Sequence, residues 1–468
     1  LPGILVKTIP AQQTVSTWPA VALVISNMIG GGIFTSLGFQ ISAFQRPDGG
    51  SDLAGGVFPI MMLWIIGGVL ALCGALCYAE LATALPRSGG EYHFLSRIYH
   101  PAVGFCTGLC STTIGFAAPT AVNAVLFGDY FCRAFPACTH LLPNMNLWLA
   151  FGLVAVATLA HLRSIRFSGG FQETTTTVTV LLIIAFVLYG FCAAPAQPVT
   201  FLPRASDGPL FLGASFWSSL IWVMYSYSGW NAATYIVGEV RDPARSLPRA
   251  LILGTTFVIA LYATITAVFL YTTPMPVLSG KPEVAALAGG YIFGPTGARI
   301  GNALICVGLI ANISSMMWIG SRVSQAIGSN YRILSLLART TPRGVPYVAL
   351  IVQFLLTALL IGNNPDKVVT YVESVLFFWS LLAVTGVIVL RIREPNLPRP
   401  YRTWGYPVTP IVFALVALVC LVQTCVRHPW QTFDGAITVL AGLPIYWYAS
   451  RSTREESIPR DTLPEHLP

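Results

Sequence analysis

Ile29-Gly30-Gly31-Gly32-Ile33 interrupts an apolar run that extends from Trp18 to about Phe44, too long for one straight, untilted membrane span. Each glycine inside a helix costs about 1 kcal/mol relative to alanine, so three in succession invite unwinding. Close helix packing is the other use of such a run, because small residues let two backbones approach. A second interruption favours unwinding. The run from about Phe211 to Val240 carries Tyr225-Ser226-Tyr227-Ser228-Gly229-Trp230-Asn231, polar and glycine-containing where the bilayer centre should fall. Unwound backbone is tolerated at that depth only where it lines a cavity or is covered by protein.

Around these two stretches the chain is built for lipid. Of 468 residues, 55% are hydrophobic and 9% charged, where a soluble protein keeps roughly a quarter charged. That excludes a soluble enzyme, a nucleic-acid binder and a singly anchored ectodomain. The apolar runs are continuous rather than alternating, which argues against a barrel. A bilayer-spanning helix takes about 20 apolar residues. Runs between Pro, Gly and charge clusters give twelve spans, at 17–44, 57–85, 101–133, 146–162, 170–194, 211–240, 248–273, 296–326, 345–362, 367–391, 407–427 and 432–450. The expected fold is therefore an all-α polytopic membrane protein, one membrane domain over 1–468.

The interruptions fall in spans 1 and 6, where two five-span repeats of opposite topology would place them. Residues 17–194 then form one repeat, 211–391 the other, and 407–450 two appended spans. Paired interruptions at corresponding positions point to a transporter's substrate site. Amides freed at a half-helix N-terminus suit a carboxylate, and freed carbonyls suit an ammonium group or a cation. One site offering both suits an amino acid.

The net charge of +8 reports topology. Arg46, Arg133, Arg204, Lys281, Arg299, Lys367 and Arg427 fall outside, and the other 19 of the 26 Lys and Arg fall inside. That bias puts both termini in the cytoplasm, and no nucleic-acid partner is needed to account for it. Nothing near Leu1 has the make-up of a secretory signal. The ten Cys residues show no CxxC spacing, and all six His residues fall in loops or near span ends, so no haem or metal cofactor is expected. Cys132 and Cys138 share one external loop, as a disulfide or as free thiols.

At the interrupted spans the chain resembles the amino acid–polyamine–organocation superfamily, within it the L-type amino acid transporter-like branch. The resemblance covers essentially the whole chain. It rests on Asn27-Met28-Ile29-Gly30-Gly31-Gly32-Ile33-Phe34, on Ala79-Glu80-Leu81 with Pro86-Arg87-Ser88-Gly89-Gly90-Glu91-Tyr92, and on Tyr227-Ser228-Gly229-Trp230-Asn231. Gly238-Glu239 with Asp242-Pro243, Ser321-Arg322 and Pro398-Arg399-Pro400-Tyr401 add to it. The resemblance implies a 5+5 inverted repeat with two broken helices. It implies that the substrate carboxylate meets the amides around Gly30, Gly31 and Gly32. The ammonium would meet the carbonyls of Met28, Ile29, Tyr225, Ser226 and Ser228. Tyr225 falls at the family's aromatic gate, and Trp230 is either a substrate contact or plain core filling.

Many members of that branch carry a Lys in span 5 in place of a bound cation; the position here is Thr179, and no Lys lies between Lys7 and Lys281. Ala311-Asn312-Ile313-Ser314-Ser315 in span 8 resembles the sodium site of sodium-coupled relatives. The carbonyl of Ala311, the hydroxyls of Ser314 and Ser315, and the carbonyls of Ser26 and Ile29 would make five hard oxygen ligands. Alternatively the two serines bond back to their own helix. Proton coupling would need an intramembrane titratable group, and Glu373 is the candidate. Glu80 and Glu239 suit inner-gate or loop-anchoring pairs with cytoplasmic arginines.

The function expected is a secondary transporter of neutral L-amino acids, sodium-coupled or not. A sodium-independent exchanger and a proton-coupled amino acid or polyamine permease stay open, as does an amino acid-sensing receptor. No facing acids suggest an intramembrane enzyme. Phe135-Pro136-Ala137-Cys138 sits where animal relatives bridge to a heavy-chain glycoprotein. Sparse Lys, abundant Arg and Ala and short termini instead suggest a bacterial cytoplasmic membrane, where no such partner is expected.

Overall fold

The computed structural model describes residues 13–45, 51–53, 55–362 and 365–451. The side chains of 365–371, 373 and 374 lie outside that description, and the Glu373 carboxylate with them. All twelve expected runs are helical. Span 1 is Thr17–Met28 followed by Gly31–Ala43, span 2 Phe58–Ala84, span 3 Pro101–Ala134, span 4 Met145–Arg163 and span 5 Ile165–Ala193. Span 6 is Ala214–Ser226 followed by the 3-10 segment Ala232–Glu239, and span 7 is Pro243–Thr272. Spans 8 to 12 are Gly297–Asn330, Tyr347–Leu360, Pro365–Arg393, Val408–Arg427 and Pro429–Arg451. Among the described residues nine stretches are long and apolar enough to cross a bilayer. The other three are broken span 6, the 14-residue span 9, and span 12.

Both breaks occur where the backbone chemistry demands them. Span 1 loses helical geometry only at Ile29 (ψ 79°) and Gly30 (φ −110°, ψ −161°), so Gly31 and Gly32 form the first turn of the second half rather than extending the unwound stretch. Span 6 turns over Tyr227–Asn231, with Gly229 at φ +101°, a conformation that only glycine adopts cheaply. Span 3 has a break that hydropathy does not reveal. Ser111–Gly115 is a π turn, closed by Phe116 N–H donating to Ser111 O at 3.1 Å. Pro119, one turn on, has no N–H to offer the Gly115 carbonyl.

Two short helices, Glu91–Ile98 and Val284–Phe293, lie outside the expected spans. Spans 5 and 7 start five residues before their apolar cores, at Ile165 and Pro243.

Neighbour relations survive exchange of span n for n + 5. Span 1 packs on span 7 and span 6 on span 2; span 4 packs on span 8 and span 9 on span 3; span 5 packs on span 8 and span 10 on span 3. Spans 2 and 7, and spans 3 and 8, pack as self-matched pairs. This is the arrangement that two five-span repeats require.

The core is largely apolar, as in a soluble protein, but the exterior is apolar too and the core also holds polar groups. Gln172, Asn312, Ser314, Glu80 and Arg322 are buried, while Leu159, Leu181, Leu188, Val422 and Leu440 are exposed. An apolar exterior this extensive is a lipid-facing surface. Lipid offers buried polar groups no partner, so they must satisfy one another inside the bundle.

Candidate functional site

The two breaks touch. A Cβ on Gly32 would lie 2.6 Å from Ser226 Oγ and 3.1 Å from Ser226 Cα. A Cβ on Gly229 would lie 2.5 Å from Asn27 Nδ2, which donates to the Gly229 carbonyl at 3.2 Å. Glycine at both positions is therefore a condition of the contact, beyond its helix-breaking tendency.

The second half of span 1 has no side-chain cap, so its first amides have no intrahelical partner. Gly31 N–H donates to Asn123 Oδ1 of span 3 at 3.4 Å. Asn123 Nδ2 donates to Asn312 Oδ1 of span 8 at 2.7 Å. Asn312 Nδ2 in turn donates to the Ser26 and Asn27 carbonyls at 3.0 and 2.9 Å. Two side-chain amides thus link both sides of the first break through spans 3 and 8.

Two of the five expected ammonium ligands, the Met28 and Ser226 carbonyls, converge on one hydroxyl. Tyr262 of span 7 donates from Oη to the carbonyls of Met28 at 2.5 Å and Ser226 at 3.2 Å. The Tyr225 carbonyl accepts from Ser228 N–H at 2.9 Å. Trp64, Tyr227 and Tyr262 back this region with ring centroids 5.0 to 5.9 Å apart. Trp230 lies elsewhere. Its ring meets Tyr78 of span 2 (4.7 Å) and Phe413 of span 11 (5.9 Å), so it fills the core rather than facing the first break.

The expected cation position holds a side-chain hydrogen-bond network. Gln172 of span 5 donates from Nε2 to the Ala311 carbonyl at 3.0 Å and to Ser26 Oγ at 2.5 Å. The Ser26 carbonyl accepts from Asn312. Ser314 Oγ donates to Gln172 Oε1 at 2.8 Å, and Ser315 Oγ to Asn27 Oδ1 at 3.1 Å and to its own helix at Asn312 O, 2.8 Å. As these side chains stand, amide hydrogens meet two of the three expected carbonyls, Ala311 O and Ser26 O, and both serine hydroxyls turn their hydrogens to oxygen acceptors. Thr179 donates to Thr175 O and Val307 O. Its methyl and that of Ile29 both come within 3.7 Å of a Cβ built on Gly308, beside the first break.

Glu80 receives both Nε and Nη2 of Arg391, at 2.8 and 2.6 Å, and the Thr403 amide at 2.7 Å. Glu239 pairs with buried Arg322 and accepts the Trp318 indole N–H at 3.1 Å. Val15 and Val240 join the start of span 1 to the end of span 6 by a β-bridge. Glu91 is buried and accepts from Tyr78, Tyr235 and Asn231. Cys132 and Cys138 are free thiols with their sulfurs 3.8 Å apart.

Sequence reasoning missed Asn123, Gln172, Tyr262 and His161 as working residues. For the amides a signal existed, since Asn and Gln side chains are rare inside apolar spans. His161 was set aside as a span-end residue, yet it is 1% exposed and bonded to Ser314.

Two broken spans in contact, inside a bundle of apolar helices with exchange-related packing, define a polytopic membrane carrier rather than an enzyme. The chain belongs to the amino acid permease family, whose sequence profile matches residues 15–442. It is 25% identical over 437 residues to the mouse large neutral amino acids transporter small subunit 2, covering 92% of this chain and 79% of that one. It is 24% identical over 450 residues to the mouse b(0,+)-type amino acid transporter 1, with 94% and 88% covered. It is 26% identical over 458 residues to the mouse Asc-type amino acid transporter 1, with 94% and 82% covered. The activity that follows is amino acid transport.

Proposed function

We propose that the protein exchanges neutral L-amino acids across a bacterial cytoplasmic membrane by alternating access, independently of sodium. Its two repeats, 17–194 and 211–391, move about the breaks with both termini cytoplasmic. One observation carries the reading: the two broken spans meet through Gly32–Ser226 and Asn27–Gly229. For a zwitterion to enter, these contacts part. Its carboxylate then takes the Gly31 amide from Asn123 and meets that of Gly32, and its ammonium takes the Met28 and Ser226 carbonyls from Tyr262. Each protein bond lost is replaced by one to substrate, so a loaded carrier can reclose where a half-loaded one cannot.

The side chains of Asn27, Thr35, Ser36, Asn123, Thr234, Tyr262 and Asn312 are hydrogen-bonded to backbone at the breaks, and all are uncharged. That supports a neutral side chain, as do relatives named for large neutral amino acids. The amide hydrogens on Ala311 O and Ser26 O support sodium independence.

The test is counterflow in proteoliposomes loaded with unlabelled amino acid, with labelled leucine, alanine and phenylalanine outside, in sodium or choline chloride. Saturable counterflow at equal rates in both salts is expected. A requirement for sodium would reject exchange in favour of symport, and no counterflow with any amino acid would reject a carrier in favour of a sensor.

A further inference from the structure

The turn between spans 4 and 5 carries an open groove of about 590 Å³. Phe167 and Phe171 line it as a stacked pair, ring centroids 6.2 Å apart. Arg163, the last residue of span 4, places its guanidinium carbon 4.9 Å from the Phe167 ring centroid. Arg166, in the first turn of span 5, lines the same groove and is exposed. Beside it, exposed Arg343 donates to the Arg163 carbonyl at 3.1 Å.

These cations have no counter-charge. Among the described residues none of the three arginines forms an ion pair. Glu173, the only carboxylate of span 5, is exposed about two turns beyond Arg166 and pairs with none of them. The backbone adds to the positive field. Ser164 Oγ caps span 5 by accepting from the Phe167 amide at 3.1 Å, which leaves the amides of Ile165 and Arg166 without an intrahelical acceptor. They open a 29-residue helix, whose dipole is positive at this end.

The other end of the groove is apolar. Leu159, one turn before Arg163, and Val178, one turn after Thr174, are exposed and continue the two helix faces that form its walls. A charged end and two hydrocarbon-facing walls thus share one cleft.

We propose that this groove binds an anionic phospholipid of the cytoplasmic leaflet. The phosphate sits between Arg163 and Arg166 at the start of span 5, with Arg343 adding charge, and the acyl chains run along Leu159 and Val178. Arginine meets a phosphate through paired N–H donors, and basic pockets between helices on this side of a membrane attract anionic headgroups. Free phosphate would use the charged end alone, whereas the exposed Leu159 and Val178 walls suit a lipid. The bound lipid ties the end of span 4 to the start of span 5, the helix that brings Gln172 to Ser26 and Ala311.

The site is independent of what the carrier transports, and its test reads binding rather than transport. Purified protein in detergent is titrated with dioctanoyl phosphatidylglycerol, dioctanoyl phosphatidylcholine or inorganic phosphate, and bound mass is followed by native mass spectrometry. Phosphatidylglycerol should bind most tightly. Arg163→Gln and Arg166→Gln should each weaken it about fivefold, and the double variant about thirtyfold. Arg332→Gln with Arg402→Gln, two exposed arginines outside the groove, should leave its Kd unchanged. Equal affinity for the two lipids overturns the proposal, as does an equal loss in both double variants. Inorganic phosphate that binds as tightly as phosphatidylglycerol and displaces it would make this a free-anion site and overturn the lipid assignment. Should the groove double variant not fold, an unchanged phosphatidylglycerol Kd in Arg166→Gln overturns it.

Discussion

Gln172→Glu is nearly isosteric and changes one thing, replacing Nε2 with an oxygen. Gln172 is 0% exposed, and Nε2 supplies the hydrogen bonds to Ala311 O and Ser26 Oγ. Ser26 Oγ now donates to Leu23 O and can turn its hydrogen to the new carboxylate. Ala311 O cannot adapt. It would face an anionic oxygen, both desolvated, at a cost of roughly 3 to 5 kcal/mol for a buried charge without its partner. With unfolding entropy of about 2.1 cal/mol/K per residue, the 468-residue chain loses about 1 °C of midpoint per kcal/mol. The variant should therefore melt about 3 to 5 °C lower in choline chloride. A sodium ion between the carboxylate and Ala311 O relieves the repulsion with the oxygen ligands it prefers. At 100 times its Kd it restores about 2.7 kcal/mol. The assay is thermal unfolding of purified protein in detergent, in sodium and choline chloride at equal strength and alkaline pH. Wild type should be indifferent to the salt, and the variant rescued by sodium. Sodium stabilising wild type by several degrees would refute the amide assignment. A variant as stable as wild type in choline would show that Gln172 does not hold the junction.

Three other substitutions probe the breaks and the lock below them. Gly229→Ala places a Cβ 2.8 Å from the Asn27 carbonyl at a φ of +101°; strain of about 1 to 2 kcal/mol plus the overlap should lower counterflow at least tenfold, and wild-type rates would sink the proposed contact. Tyr262→Phe frees the Met28 and Ser226 carbonyls, so substrate half-saturation should fall by about fivefold, worth about 1 kcal/mol, while substrate-free stability drops; weaker binding would instead make the hydroxyl a substrate ligand. Glu239→Gln leaves buried Arg322 without its counter-charge, at roughly 3 to 5 kcal/mol, read by thermal unfolding; adding Arg322→Met should recover most of it, and an additive double variant would deny the pairing.

Hydropathy and glycine placement carried the fold because in lipid the polar backbone must be satisfied within each helix, leaving apolar length as the main variable. Span positions and both breaks were legible on those grounds. The π turn in span 3 was not, since Ser111-Thr112-Thr113 is polar in the way hydroxyl residues of an intact helix are, with each hydroxyl free to bond its own turn. The site was half legible. Gly32 and Gly229 stand out as local helix breakers, but their tight fit against Ser226 and Asn27 is a property of two helices together. Glu80 and Glu239 could be read as paired, yet Arg391 lies 311 residues from Glu80, and charge pattern alone does not choose among the arginines. What meets the span 8 pattern was illegible for the same reason. Ala311, Ser314 and Ser315 share a helix face whichever cation or donor meets them, and the donor arrives from span 5.

The network that joins the breaks bears on energetics. Asn123, Asn312 and Gln172 join spans 1, 3, 5 and 8 through amides that do not titrate. Substrate can replace their contacts at the breaks without moving a proton or changing the protein's charge. An exchange cycle built on them is neutral apart from the substrate, and amino acid gradients alone drive it.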